Sequence, residues 1–250
     1  MTFNLSASLV QGILLDIEGT TTPIDFVYQV LFPFVRVHLK DYLRHNADSE
    51  ELRRDLSMLR EEHLKDLEQA LVPPEWADAD LDAQIESVAH YVFWLMDRDR
   101  KSTGLKSLQG KIWQQAYLKG ELKSQVFQDV PPALEYWKSK NLDVRIFSSG
   151  SVLAQRLLFA NTEVGDLTHF LGGYFDTNIG LKTDQKSYRQ IANEFHLPAA
   201  EVLFISDMTA ELDAARRAGM QTLLCVRPGN LPQPEKHAHG VTSSFSEIVG

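Results

Sequence analysis

Two acidic residues near the N-terminus, Asp16 and Glu18, are one residue apart and are followed by a Gly-Thr turn. They come directly after the apolar run Gly12–Leu15, which is typical of a buried strand. Open α/β sheets carry their chemistry at the carboxyl ends of their strands. The spacing therefore predicts a loop that combines a nucleophile, a metal ligand and a proton shuttle. The structural alternative is an ordinary acidic turn at a strand end.

Further polar side chains follow other predicted strands. Ser148 and Ser149 stand between a strand and a helix, where hydroxyls and free backbone N–H groups form an anion site. Lys182 precedes a predicted helix and can reach a phosphate, and Asp207 follows a buried strand as a candidate metal ligand. Taken singly, the serine and aspartate positions also suit helix caps, and the lysine suits a solvated surface. Because parallel strands point the same way, we expect these groups to converge on Asp16.

A second lysine, Lys186, competes with Lys182 for the phosphate. It falls inside the first turn of the predicted helix, so the pattern favours Lys182.

Three carboxylates at one sheet edge, from Asp16, Glu18 and Asp207, repel one another strongly when all are ionised. Either one of them is protonated or a cation lies among them, and hard oxygen ligands with open positions for water and phosphate favour Mg²⁺. These parts predict phosphoryl transfer through an aspartyl-phosphate on Asp16, with Glu18 as acid and base. Lys182, Ser148 and magnesium stabilise the phosphoryl oxygens in that scheme.

The elements that position these residues fall into three blocks. Residues 1–24 have the pattern of a strand plus a loop, residues 25–125 are almost entirely helical in pattern, and strand and helix patterns alternate from residue 126 onward. This order predicts an α/β fold with a doubly wound, Rossmann-like parallel sheet core formed by residues 1–24 and 126–250. Residues 25–125 are then an inserted all-helical cap that emerges beside Asp16 and can act as a lid.

The composition excludes several classes of function. A net charge of −9 argues against non-specific nucleic-acid binding. No stretch approaches the ~18 apolar residues that cross a bilayer, and the N-terminal residues lack the basic segment of a secretory signal. The single cysteine, Cys225, lies in an apolar run, is expected to be buried in a strand and excludes an internal disulfide. We therefore expect a cytoplasmic protein that acts on a phosphorylated small molecule.

The content and order of these motifs resemble the haloacid dehalogenase superfamily of phosphohydrolases. Its four motifs look like the segment from Asp16 to Thr20, Ser148, Lys182 and Asp207, and the helical block is similar to its cap. The common pattern of that superfamily has aspartate at the second acidic position, where this chain has the longer Glu18. This departure restricts the resemblance to those members of the superfamily that have glutamate at this position.

Residues 16–24, 31–34, 147–151 and 226–230 are similar to the enolase-phosphatases of methionine salvage. The resemblance implies a monomeric, magnesium-dependent, bifunctional enzyme. It enolises 2,3-diketo-5-methylthiopentyl 1-phosphate and then removes the phosphate to give the acireductone 1,2-dihydroxy-3-keto-5-methylthiopentene. The resemblance implies that Asp16, Asp207 and Glu18 bind magnesium, Glu18 through its carboxylate or its backbone carbonyl. It also implies that Ser148 and Ser149 contact the substrate and that Lys182 contacts the phosphate.

Two other functions are also compatible with these residues. A generic small-molecule phosphatase of the same superfamily shares every catalytic residue and differs in its cap. A phospho-receiver signalling module also uses acids, a hydroxyl and a lysine on a doubly wound sheet, although the long helical insertion and the paired acids disfavour it. The residues do not identify the base for enolisation, for which Glu18 and Lys182 are both candidates.

Overall fold

The computed structural model describes Leu5 and residues 8–248. They form two compact units. The α/β unit combines the described residues up to Val27 with those from Lys123 onward, and the helical unit comprises Tyr28–Leu122. All the strands of the described chain belong to the α/β unit. No helix in this part of the chain is both long and apolar enough to span a membrane.

The α/β unit is built on six parallel strands, with helices in every connection except that between the last two strands. The strands are β1 (Gly12–Leu15), β2 (Asp143–Phe147), β3 (Gly173–Phe175), β4 (Val202–Ser206), β5 (Gln221–Cys225) and β6 (Gly240–Thr242). Their order in the sheet is β3-β2-β1-β4-β5-β6, so β1 is central and the chain winds outward from it in both directions. The predicted doubly wound α/β fold is confirmed. The pattern did not predict β6, whose three residues are too few to show a period.

Four longer helices complete this unit: α5 (Val130–Ser139), α6 (Val152–Ala160), α7 (Gln185–Phe195) and α8 (Thr209–Arg217). Side chains of β1 alternate between the two faces of the sheet. Ile13 packs in the same cluster as Trp137 of α5, whereas Leu14 packs with Tyr188 of α7. Both faces are therefore covered by helices, which is why the strands are nearly continuous apolar runs.

The strand register brings the chemistry-bearing residues to one edge. Leu15 of β1 pairs with Ile146 of β2 on one side and with Ile205 of β4 on the other. The residues that follow these three positions consequently leave the sheet at the same level. Asp16, Ser148 and Asp207 are among them.

The helical unit contains α1 (Phe32–His45), α2 (Glu50–Glu68), α3 (Leu81–Asp97) and α4 (Thr103–Lys119). The side chains of Ser49, Asp80 and Ser102 cap the last three by accepting a backbone N–H from the first turn. Helix α2 packs on α4, and α1 packs on α3 and α4. A six-residue π-helical segment, Phe26–Leu31, precedes α1.

Candidate active site

Asp16 leaves the end of β1 with its carboxylate buried and held from three directions. Its Oδ1 accepts from Lys182 Nζ at 2.6 Å and from the backbone N–H of Ile17 at 2.7 Å. Its Oδ2 accepts from Ser206 Oγ at 3.3 Å. Only 7% of the side chain is exposed. These bonds fix the carboxylate in one orientation.

Lys182 reaches Asp16 from a loop that lies 166 positions away in the chain. Its Nζ is also 2.7 Å from Glu211 Oε2. Burial by itself lowers the pKa of Lys182, but the two carboxylates raise that pKa overall above its ordinary value, so the side chain is an ammonium. Lys186 is exposed at the start of α7. The structure therefore brings Lys182, and not Lys186, to Asp16.

The loop that carries Lys182 is held by the first turn of α7. Ser187 Oγ donates to the carbonyl of Leu181 at 2.7 Å, and Tyr188 Oη donates to the carbonyl of Lys182 at 2.7 Å. Gly180 has a φ of +136°, and a Cβ there would lie 2.3 Å from Ser187 Oγ. The position thus requires glycine for both its backbone conformation and its close approach to the helix.

Glu211 is a site residue that the sequence reasoning missed. It lies in the first turn of α8, four positions after Asp207, and its Oε2 accepts from Lys182 and lies 3.0 Å from Ser206 Oγ, whose one proton it shares with Asp16. Burial is the main reason that the pKa of Glu211 lies above its ordinary value, with Lys182 opposing it and Asp16 adding to it. The signal in the sequence was the four-residue spacing of the two acids after one strand, which resembles ordinary acidic residues at a helix start.

Asp207 is also buried, with 5% of the residue exposed. Burial, followed by the charges of Asp16 and Glu211, raises its pKa to about 7, against an opposing effect of Lys182. No cationic side chain in the described chain forms an ion pair with Asp207. Lys182 thus pairs with Asp16 and the partly buried Glu211 and leaves Asp207 unpaired, so this edge of the sheet has a surplus of negative charge when all three acids are ionised.

The residues present fit a hard divalent cation. A Cβ on Gly19, whose φ is +71°, would lie 2.5 Å from Asp207 Oδ2 and 2.8 Å from Asn230 Oδ1, so the loop keeps free a space that any side chain would fill. Among the residues that the structure describes, no three His, Cys, Asp or Glu side chains are placed to hold a metal ion. Asp16 and Asp207 therefore need further oxygens from a backbone carbonyl such as that of Glu18, from water or from substrate. Mg²⁺ tolerates this, because it keeps several waters in protein sites.

Ser148 and Ser149 lie between β2 and α6. Ser148 is buried, and its Oγ accepts the backbone N–H of Gly150 at 3.2 Å, whereas Ser149 is half-buried. The helix-capping role belongs to Ser151, whose Oγ accepts from the N–H of Ala154. Ser148 and Ser149 are therefore not the capping residues of α6, and both leave the sheet on the strand next to that of Asp16.

This fold and this arrangement of acids, lysine and hydroxyls define a class of phosphate-processing hydrolase. Residues 10–219 match the family model described as "Hydrolase: haloacid dehalogenase-like hydrolase". The crystal structure of the UTR4 protein from Saccharomyces cerevisiae superposes on the chain with a TM-score of 0.74 at 32% identity, and covers 95% of this chain and 99% of that one.

Curated relatives narrow the class further. A protein from Synechococcus elongatus named "Enolase-phosphatase E1" is 51% identical over 221 residues, which are 88% of this chain and 90% of the relative. A protein of the same name from Danio rerio is 41% identical over 242 residues, which are 94% of this chain and 93% of the relative. The chain belongs to the enolase-phosphatase E1 family of haloacid dehalogenase-like hydrolases. The resemblance drawn from the motifs is confirmed.

Proposed function

We propose that the chain is a magnesium-dependent enolase-phosphatase that acts on 2,3-diketo-5-methylthiopentyl 1-phosphate. It enolises the diketone and then hydrolyses the phosphate ester to give 1,2-dihydroxy-3-keto-5-methylthiopentene, a step of L-methionine salvage from methylthioadenosine. The name "Enolase-phosphatase E1", which relatives 41% and 51% identical over most of the chain carry, supports the two activities. The observation that carries the chemistry is the buried Asp16–Lys182 pair beside the buried Asp207.

In the phosphatase step, an oxygen of Asp16 attacks phosphorus while the bond from phosphorus to the substrate oxygen breaks. Glu18 gives its proton to that leaving oxygen and afterwards takes a proton from the water that hydrolyses the aspartyl-phosphate. Lys182 neutralises charge on the phosphoryl oxygens, and Ser148 and Ser149 donate hydrogen bonds to the substrate. Magnesium, held by Asp16, Asp207 and the backbone of Glu18, supplies Lewis-acid stabilisation of phosphoryl and carbonyl oxygens when bound.

Enolisation needs a base for a proton on a carbon next to a carbonyl and a donor for the resulting enolate oxygen. Lys182 Nζ donates to carboxylates of Asp16 and Glu211, which keeps it an ammonium. An ammonium suits the donor role and not the basic one. We therefore assign the proton abstraction to Glu18.

The direct test supplies the diketone phosphate with Mg²⁺ and follows ultraviolet absorbance of the enol together with free phosphate. The expected result is an enol signal that precedes phosphate and sustained turnover that stops with a chelator. Phosphate release without an enol identifies a generic phosphatase instead. Stoichiometric labelling without turnover identifies a receiver module, and full activity in excess chelator contradicts the metal assignment.

A matched pair of lysine variants sharpens this test. Lys182→Ala is expected to lower phosphate release at least about a hundredfold, because the phosphoryl oxygens lose their cation. Lys186→Ala, which removes an exposed lysine four positions along, is expected to keep the native rate. Equal rates for the two variants contradict the role of Lys182.

We also propose that residues 1–24 and 126–250 are the catalytic core, that residues 25–125 are its cap, and that the protein works as a cytoplasmic monomer. The all-helical composition of Tyr28–Leu122 supports the cap assignment, and the buried thiol of Cys225 suits a reducing compartment. Light scattering of the purified protein tests the monomer, since a mass well above 28.3 kDa excludes it.

A further inference from the structure

Asn230 joins the loop after β5 to the loop that carries Asp16. Its Nδ2 donates to the carbonyl of Gly19 at 3.0 Å, across 211 positions of sequence, and to the carbonyl of Cys225 at 3.2 Å. Both partners are acceptors, so the amide must present its nitrogen to them. The orientation of the side chain is thereby fixed, and Oδ1 points away from these two carbonyls.

The oxygen of this amide, Oδ1, lacks a hydrogen-bond donor in the described chain. Asn230 Oδ1 is buried, and no donor among the described residues reaches it. A buried amide oxygen of this kind normally has a hydrogen-bond donor, because its hydration is lost on folding. Native structures retain such an atom where a ligand or water supplies the donor.

Asn230 Oδ1 faces the same small space as the carboxylate of Asp207. Both oxygens lie within 3 Å of the point that a Cβ on Gly19 would occupy, at 2.8 and 2.5 Å. An ionised carboxylate has no proton to give, so the Asp207 carboxylate that faces this space is a second acceptor and not the donor for Oδ1. The missing donor must be a group that Asp207 also attracts.

We propose that Asn230 is a positioning residue for the cation site, in which Nδ2 fixes Gly19 and Oδ1 accepts a hydrogen bond from a water bound to the divalent cation beside Asp207. The inference rests on the proposed function, because it takes a cation at Asp16 and Asp207. Water on a cation directs its protons outward, and Mg²⁺ keeps several such waters.

The experiment measures binding of Mg²⁺ alone by isothermal titration calorimetry, with no substrate present. Asn230→Ala is expected to raise the Kd for Mg²⁺ by about 10- to 100-fold, the usual cost of removing an outer partner of a metal site. Asn161→Ala is the matched control, because Asn161 Nδ2 also donates to a backbone carbonyl, that of Leu157 at 2.8 Å, in the same unit. This control is expected to change the Kd less than about twofold, although it loses a similar hydrogen bond.

A third variant separates the two ends of the amide. Asn230→Asp loses the Nδ2 donor but retains an acceptor at Oδ1 and adds a negative charge, so it is expected to bind Mg²⁺ at least about tenfold more tightly than Asn230→Ala. If Asn230→Asp and Asn230→Ala weaken Mg²⁺ binding equally, the role of Oδ1 is overturned. Only the hydrogen bond from Nδ2 to the carbonyl of Gly19 then remains. A native Kd for Asn230→Ala overturns the inference altogether.

The outcomes also separate this inference from the function it rests on. If the native protein binds no Mg²⁺, both fail. If it binds Mg²⁺ and turns over the diketone phosphate while Asn230→Ala binds Mg²⁺ normally, the function stands and the inference fails. Should Asn230→Ala not fold, a crystal structure of the native protein with Mg²⁺ decides, because the inference requires a metal-bound water within about 3.2 Å of Oδ1.

Discussion

The two units of this chain bury charged side chains in opposite ways. In the helical unit, each buried acid has its own base. Asp55, 2% exposed at its side chain, lies 2.6 Å from Lys111 Nζ, and Asp66, equally buried, lies 2.9 Å from Arg100 Nη2. Tyr91 Oη donates to the second oxygen of Asp66 at 2.7 Å. Nothing in these two clusters is left for a ligand to satisfy.

In the α/β unit, the acids outnumber the base. Asp16 and Glu211 both pair with Lys182, and Asp207 has no cationic partner in the described chain. The oxygen of Asn230 that faces Asp207 has no donor there either. Asp129 of the same unit is different, because Arg227 Nη1 lies 2.7 Å from it.

The comparison shows how buried charge separates a structural cluster from a functional one. A buried ion pair with every hydrogen bond made is self-sufficient, and removing one partner destabilises the fold. A cluster with surplus charge is costly in the free protein and gains its compensation from a ligand. Variants of the cluster with surplus charge should therefore lower activity more than stability. Variants of the fully paired clusters should lower stability more than activity.

The largest expected effect is on catalysis at Asp16. Asp16→Asn removes the attacking oxygen with little change of shape, so phosphate release should fall at least about a thousandfold while the circular dichroism spectrum stays native. The comparison variant is Asp55→Asn in the helical unit, which should lower stability and change phosphate release less than about tenfold. Retained turnover in Asp16→Asn rules out this nucleophile.

A smaller effect is expected at Glu18. Glu18→Gln removes the base that activates water, so breakdown of the aspartyl-phosphate should slow by about 10²- to 10⁴-fold and the phosphorylated protein should accumulate. Rapid acid quenching with radiolabelled substrate measures both the labelled protein and the released phosphate. Single-turnover kinetics identical to those of the native enzyme exclude the assigned role.

The stabilities of variants at Asp207 and Asp66 test directly the difference between the two kinds of buried cluster. The raised pKa of Asp207 means that its ionised form disfavours the fold of the metal-free protein at pH 8, so Asp207→Asn should increase the free energy of unfolding in urea. Asp66→Asn should instead lower it by about 2 kcal/mol, because Arg100 and Tyr91 lose a charged hydrogen-bond partner. Added Mg²⁺ should stabilise the native protein and not Asp207→Asn. Destabilisation of similar size in both variants without metal breaks the comparison.

The smallest effect concerns pH and Asp129. Burial raises the pKa of Asp129, but hydrogen bonds from Arg227, Ser244 and the N–H of Phe245 lower it overall below its ordinary value of 3.8. Because the pKa of Asp129 is lower in the folded protein than in the unfolded one, its ionised carboxylate stabilises the fold above about pH 4. This stabilisation is lost as the pH falls through the pKa of the folded protein. Asp129→Asn should therefore cost about 1–2 kcal/mol at pH 6 and progressively less below pH 4. Denaturant titrations at several pH values measure the difference, and a constant cost down to pH 2.5 contradicts this origin.

Some burial could not be predicted from the pattern. The charged run of α2 predicts a solvated face, and His63 in it predicts a surface or partly buried histidine, yet His63 is 2% exposed. Its Nε2 lies 2.7 Å from the carbonyl of Pro74, and its ring lies beside Trp76 and Tyr91. The loop after α2 and the helix α3 cover it. A helical period shows which residues share a face and does not show what later folds over that face.

The sequence by itself determined where the chemistry starts. The apolar run before Asp16 and the strand patterns before Ser148 and Asp207 are local signals, and parallel pairing turns them into one shared edge. Cys225 was correctly predicted to be a buried strand residue for the same reason.

Only the tertiary structure decided which groups touch. The pairing of Glu211 with Lys182 and the reach of Asn230 to Gly19 depend on β1 lying between β2 and β4 and on loops far apart in the chain meeting beside it. Hydrogen bonds act over about 3 Å, and residue order carries no information at that scale once 211 positions separate the partners. The surplus of negative charge at the site is for this reason a property of the fold, although every acid in it could be seen in the sequence.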